Sequence, residues 1–218
     1  MRSLAAGILL LLCAGCMPMV AHGPRVEPGA TFAVTGSLTA GPRYSTYDWG
    51  NQPFLSGPVG VSAGHGQASP SPNSVGTYVG VSVPVPAFPL AQADLYLQLP
   101  PAWLGDLDVG AGVNAGAFQA MPYVQLGRMG EDGSGWYTTQ GIAFQRATGE
   151  ATNTVRGWAW LSTAAYQWRG ATRTTHVFVT AGAGQEYGNC YHQCGPAEHR
   201  LALAAGAMLQ FHRRRPAP

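Results

Sequence analysis

The chain has 218 residues and a net charge of +2, with 30 glycines, 17 prolines and only 10% charged residues, against roughly 25% in an ordinary soluble domain. So little charge excludes a nucleic-acid footprint, which needs clustered cations, and a solvated disordered chain, which needs high net charge. The length allows one domain of ordinary size.

Met1-Arg2-Ser3 is a short basic start, and Leu4 to Leu12 is an apolar run of about nine residues. That is too short to span a bilayer of about 30 Å as a helix, so residues 1–15 are predicted to be a signal peptide. The stretch "LLCAGCMP" follows, and Ala14-Gly15-Cys16 resembles a bacterial lipobox. The resemblance implies that Cys16 is lipidated, carrying palmitate-type acyl chains, and becomes the first mature residue. Met17 stands where an inner-membrane retention Asp would be, so the resemblance further implies an outer-membrane lipoprotein. Residues 16–28, with Pro18, Pro24 and Pro28, then read as a short periplasmic tether. The alternative is ordinary cleavage after Ala21-His22-Gly23, which gives a periplasmic or secreted protein without an anchor.

From residue 29 to residue 212 the chain reads as short alternating runs separated by Gly, Pro, Asn and Ser, the pattern of an all-β domain. "ATFAVTGSL" puts Phe32, Val34 and Leu38 on one face. In "VGTYVGVSV", Val75, Thr77, Val79, Val81 and Val83 face one way and Gly76, Tyr78, Gly80 and Ser82 the other. "ADLYLQL" and "DLDVGAGVN", joined by the turn "PPAWLG", form a predicted antiparallel hairpin. Its apolar face holds Leu95, Leu97, Leu99, Leu107, Val109, Ala111 and Val113; its polar face holds Asp94, Tyr96, Gln98, Asp106, Asp108 and Asn114. Further strands follow in "MPYVQLGR", "GWYTTQGIAFQRA", "TVRGWAWLSTAAYQW" and "TRTTHVFVTAGAGQEY". The last run lies within "HRLALAAGAMLQFHRRRP", where Leu201, Leu203, Ala205, Ala207, Leu209 and Phe211 share a face. A helix would leave Leu203 and Phe211 off its apolar stripe and carry Gly206 mid-length, at a cost of about 1 kcal/mol relative to Ala. The period-two reading takes all six apolar positions, and residues 213–218 are left as a short basic tail.

These runs predict an antiparallel, transmembrane-type β-barrel of 8–10 strands. A soluble sandwich would clothe its second face in charge, whereas here that face carries Gly, Ser, Thr, Gln, Asn and Tyr. Trp103, Trp136, Tyr137, Trp158, Trp168, Tyr187, Tyr191 and Phe211 fall near run ends, where interfacial girdles would lie. The final run also resembles the closing strand of outer-membrane barrels, which ends in an aromatic read by the barrel-assembly machinery. The alternative architecture is a lipid-anchored soluble sandwich or a lipocalin-like barrel.

Cys190 and Cys194, four apart in an exported chain, predict a small-loop disulfide. With His192 and His199 they match no standard zinc spacing, so no metal is expected. Asp94, Gln98, Asp106, Asp108, Asn114 and Arg200 are predicted to form a polar network filling the lumen. His176, alone on its strand, reads as a satisfied structural histidine. No G-x-S-x-G, P-loop or Ser/His/acid spacing stands out, so neither catalysis nor a cofactor is expected. The expected partners are membrane lipid, the assembly machinery, and either a surface protein or a small ligand; nucleic acid is excluded. A structural or surface-interaction role is the leading expectation, acting through "VPVPAFPLAQ" and the Cys190–Cys194 loop. Ligand binding or transport is the alternative, and a membrane-embedded lipid-modifying enzyme is a third. A plugged lumen favours the structural role and an empty one favours transport.

Overall fold

The computed structural model describes residues 20–43, 52–56, 59–71, 73–85, 91–116, 119–148, 154–188 and 198–212. Among these residues, eleven strands form one antiparallel sheet: β1 (Gly29–Arg43), β2 (Gln52–Ser56), β3 (Val59–Gln67), β4 (Gly76–Val85), β5 (Gln92–Gln98), β6 (Asp108–Gly116), β7 (Gln119–Met129), β8 (Gly135–Thr148), β9 (Thr154–Arg169), β10 (Arg173–Gly188) and β11 (Glu198–His212). Each pairs with the next in sequence, except that β1 pairs with both β2 and β3, and β11 returns to pair with β1. The sheet is closed. β2 and β3 share one place in the wall, because Gly36 faces Val59 and Thr39 faces Ser56 in a single register along β1. The barrel therefore has ten strand positions, within the predicted range, and its closure rules out the two-sheet sandwich.

Following the ladder once around from Thr31, through Gly64, Gly80, Asp94 and Asn114 and on through Ala159, Gly184 and Arg200, leads back to β1 at Arg43, twelve residues along. Strand number and stagger together fix the slope, so these strands tilt by about 40° from the barrel axis.

Alternation decides what faces where. Along β5, Gln92, Asp94, Tyr96 and Gln98 are buried while Ala93, Leu95 and Leu97 are exposed. On β11, Ala204, Met208 and Gln210 are buried, whereas Leu201, Leu203, Leu209 and Phe211 are exposed. The same holds around the wall, so large apolar side chains cover the outside and the packed core lies in the lumen, around Tyr78, Tyr96, Met121, Tyr123, Ala143 and Leu161. Trp136, Tyr166, Trp168 and Phe211, on β8, β9 and β11, stand near the mouth where β1 starts and β11 ends; Phe144, Trp158 and Trp160, on β8 and β9, lie toward the far mouth. Tyr137, expected in a girdle, is instead buried in the lumen, since neighbours on a strand face opposite ways and Trp136 takes the outer side. Trp103 lies in a short 3-10 turn, Pro101–Trp103, between β5 and β6. The side chains of Tyr187 and Tyr191 lie outside the described residues.

The connections at the near mouth include two tight turns. In residues 130–134, Gly133 adopts φ 79°, and the Asp132 carboxylate accepts a bond of 2.9 Å from the Ser134 N–H, which holds that carboxyl below its usual range. Between β9 and β10, Gly170 N–H donates to the Arg173 carbonyl at 2.7 Å.

Candidate functional site

The segment preceding β1 does not leave the barrel. Residues 20–28, expected as part of a periplasmic tether, run inside the lumen: Ala21, His22, Pro24 and Val26 are all buried. The physical reason is complementarity. A stretch without regular structure cannot pair its own backbone groups, and here the inward side chains of the wall pair them instead. Gln125 donates to the His22 carbonyl at 3.1 Å, Tyr96 donates to the Pro24 carbonyl at 2.9 Å, and Val26 N–H donates to Gln98 Oε1 at 2.9 Å. Gly23 lies against the Gln167 carboxamide, which would have to turn aside if a Cβ were added there.

Three clamps hold the segment at its polar side chains. His22 stacks at tilted angles on Tyr78 and Tyr96, with ring centroids 4.4 and 4.5 Å apart. Its Nδ1 lies 2.8 Å from the Gly23 carbonyl and its Nε2 3.0 Å from the Tyr123 hydroxyl and 3.3 Å from Asp94 Oδ2. The Tyr123 hydroxyl gives its own proton to Asp94 Oδ1 at 2.7 Å. His22, Tyr123 and Asp94 thus form one buried polar cluster that ties the segment to the wall. Lower down, Arg25 grips Asp108 with two bonds, Nε to Oδ1 at 3.0 Å and Nη2 to Oδ2 at 2.9 Å. Its remaining donors reach the Met129 and Gly130 carbonyls. At the mouth, Glu27 pairs with Arg169 at 2.6 Å.

The tyrosines that form this cradle depend on small neighbours. A Cβ on Gly110 would overlap the Tyr96 ring and the Leu97 carbonyl, and one on Gly112 would overlap Tyr123. Gly110→Val is therefore expected to displace Tyr96 from Pro24 and to destabilise the barrel by about 1–3 kcal/mol. A lowered temperature for the gel-mobility change on heating would show it, and an unchanged temperature would contradict the packing.

Of the residues expected to fill the lumen, Asp94, Gln98, Asp108 and Asn114 face inward and are buried. Their partners come from the amino-terminal segment as well as from the wall. Asp106 is a correction. It precedes β6, in a turn where Leu107 N–H bonds the Leu104 carbonyl, so strand alternation does not reach it. Its carboxylate is exposed and pairs with the equally exposed Arg128 at 3.0 Å. Arg200 stands opposite Arg43 and Gly184 in the ladder, with its side chain outside the described residues. Cys16, Cys190 and Cys194 also lie outside them. His176 Nε2 donates to Gln210 Oε1 at 3.3 Å, and its Nδ1 lies 3.0 Å from the Tyr137 hydroxyl, deep in the lumen. Sequence reasoning missed His22, Arg25 and Glu27 as partners for these groups. Among the described residues no group of three or more His, Cys, Asp or Glu side chains gathers in a way that could hold a metal ion.

The segment divides the interior. On one side, a vestibule at the near mouth is lined by Arg25, Glu27, Gln98, Asp108 and Arg169. On the other, a space toward the far mouth is lined by Val20, Thr35, Met121, Tyr137, Thr163 and Phe178.

Wall and segment together define a transmembrane-type β-barrel plugged by its own amino-terminal residues. No protein-family model and no curated protein sequence matches the chain. Among solved structures it is similar to the outer membrane protein OprG from Pseudomonas aeruginosa, at 12% identity and a TM-score of 0.38 over 88% of this chain and 100% of that one. It is also similar to a triple mutant of the Rhodopseudomonas blastica porin, at 6% identity and a TM-score of 0.20 over 83% and 100% of the two chains. A loop-deleted OmpT, an outer membrane protein of Vibrio cholerae, gives 12% identity and a TM-score of 0.22 over 84% and 100%. The fold itself rests on the closed ladder.

Proposed function

We propose that the protein resides in the bacterial outer membrane as a plugged, non-conducting barrel with a structural or surface-interaction role. The observation that carries this reading is the segment 20–28, bound across the lumen through His22, Arg25 and Glu27. An outward face of Val, Leu, Phe and Trp, with aromatics at two levels on the β8–β9 side, supports the membrane setting, because backbone in lipid needs a closed sheet with no free edge. The mouth holding the chain's two strand termini and the tight turns is then periplasmic, and the far mouth faces outward. Surface contacts fall to the connections there, which include "VPVPAFPLAQ" and the Cys190–Cys194 loop with its expected disulfide.

Lipid on Cys16 remains a proposal drawn from the lipobox resemblance, and the barrel needs no such anchor to stay in the membrane. Purified protein in planar bilayers is expected to show no steady conductance and, unboiled, to run ahead of the boiled form on a detergent gel. Cys16→Ser should lose labelled palmitate yet stay in the carbonate-washed membrane. Steady open-channel current from the wild type would overturn the plugged reading, and release by carbonate would overturn the membrane setting.

A second reading, binding of a small neutral ligand in the far half of the lumen, draws on Thr35. Its hydroxyl is buried against that space without a hydrogen-bond partner.

A further inference from the structure

The outward face carries one polar cluster where none is needed for contact with lipid. On β8 the outward positions are Trp136, Thr138, Gln140, Ile142 and Phe144, and on β9 they include Trp158, Trp160, Ser162, Ala164, Tyr166 and Trp168. Gln140 Nε2 donates to Thr138 Oγ1 at 2.9 Å and to Ser162 Oγ at 2.7 Å. Trp136 and Phe144 mark the two aromatic levels, nine residues apart counted inclusively, which is one tilted membrane span. Gln140 lies midway between them, at the centre of the hydrocarbon band. Its neighbours across the ladder, Val124 on β7 and Ala181 beyond Ser162 on β10, are apolar or small.

The carboxamide spends both its hydrogens inside the cluster. Its Oε1 is left as an acceptor with no hydrogen bond to the described residues, and the Thr138 and Ser162 hydroxyls each keep a proton to donate. In water such groups would find partners at no cost. In lipid they have none, and polar side chains at this depth associate with one another. The cluster is self-complementary: the oxygen of one copy can accept from a hydroxyl of another. Turning the amide by 180° exchanges donors for acceptors on both sides and preserves that match.

We propose that this face is the interface of a homodimer, related by a twofold axis along the membrane normal. Such an axis keeps every residue at its own depth, so Gln140 meets polar atoms only if the same cluster stands opposite. Among the described residues, no other outward hydrogen-bonding side chain lies between the aromatic levels at that depth. Ala164 and Ala181 let the two walls approach closely, while Trp160 and Tyr166 bracket the contact toward either surface. The inference rests on the membrane setting proposed above.

Sedimentation equilibrium of the full chain in density-matched detergent tests it. The wild type is expected to sediment as a reversible dimer, with the dissociation constant raised by about tenfold to a hundredfold in Gln140→Leu. Ser162→Ala should weaken the dimer in the same direction and serves if Gln140→Leu fails to assemble. Val81→Leu, on the opposite wall, should leave it unchanged. A wild type that stays monomeric at every concentration, or a dimer indifferent to both β8 and β9 substitutions, would overturn the interface. Release from carbonate-washed membranes would instead overturn the membrane setting, so the two failures are distinguishable.

Discussion

Asp108→Ala is expected to unseat the amino-terminal segment and turn a closed barrel into one that opens in bursts. Asp108 is buried and takes both of its strong bonds from Arg25, while its Oδ2 also accepts from Met129 N–H at 3.3 Å. Removing it strands a guanidinium that has only the Met129 and Gly130 carbonyls left. Breaking a buried pair from one side costs about 3–5 kcal/mol. The Arg25 side chain keeps 34% of its exposure at the mouth, so water recovers part of that, and about 2–3 kcal/mol is the expected loss. This amounts to roughly a hundredfold more unseated segment. Two measurements follow it: current bursts in planar bilayers, and trypsin cleavage after Arg25, which the wild-type lumen protects. Glu27→Ala should act in the same direction but more weakly, because the Arg169 it releases is already partly solvated. Asp108→Ala as silent and as protease-resistant as the wild type would mean that the segment is held elsewhere.

The wall was legible in the sequence because its signal is local and strict. In "ADLYLQL" every second residue is apolar, and a closed sheet that meets lipid on one side and its own packed lumen on the other preserves that alternation. The same logic identified β4 and β11. It also explains the errors. Alternation assigns Asp106 the parity of Asp108, but it has meaning only from the first paired residue. Tyr137 was grouped with Trp136 because both are aromatic, although adjacent strand residues part to opposite faces.

The plug was not legible, since nothing in "AHGPRVEPG" repeats and its prolines and glycines describe a linker as well as they describe an irregular filler. What could have pointed to it is an imbalance of partners. The inward carboxylates Asp94 and Asp108 need donors, and the strands around them supply chiefly Tyr, Gln and Gly. The nearest cations in sequence with no wall position of their own are His22 and Arg25. Their pairing crosses 72 and 83 residues, and no periodicity connects such separations. The polar cluster at Thr138, Gln140 and Ser162 is hidden for the opposite reason: on strands that mix Gly, Thr and Trp, the polar parity is ambiguous, and only the register with Val124 and Leu126 shows it outside.

Depth supplies the sharpest quantitative expectation for the wall, and β11 is the strand on which to measure it. Leu203, Ala205, Ala207, Leu209 and Phe211 all face outward. Phe211 stands at the near aromatic level, and a tilted span takes about nine residues, so Leu203 reaches the far level and Ala207 lies at the centre. An arginine on the lipid face costs about 2–4 kcal/mol at the midplane and about 0–1 kcal/mol near the interfaces, where its head can reach water. Ala207→Arg is therefore expected to impair assembly severely. Leu203→Arg, although it replaces the larger apolar side chain, should be nearly tolerated. Ala204→Ser, turned inward beside Met208 and Thr35, should fold like the wild type because the hydroxyl enters a wall already lined with Thr and Ser. Denaturant midpoints in lipid vesicles would give all three values. Were Leu203→Arg to prove as damaging as Ala207→Arg, the hydrocarbon band would not be centred where the aromatic residues of β8, β9 and β11 place it, and Gln140 would lose its claim to the middle of the membrane.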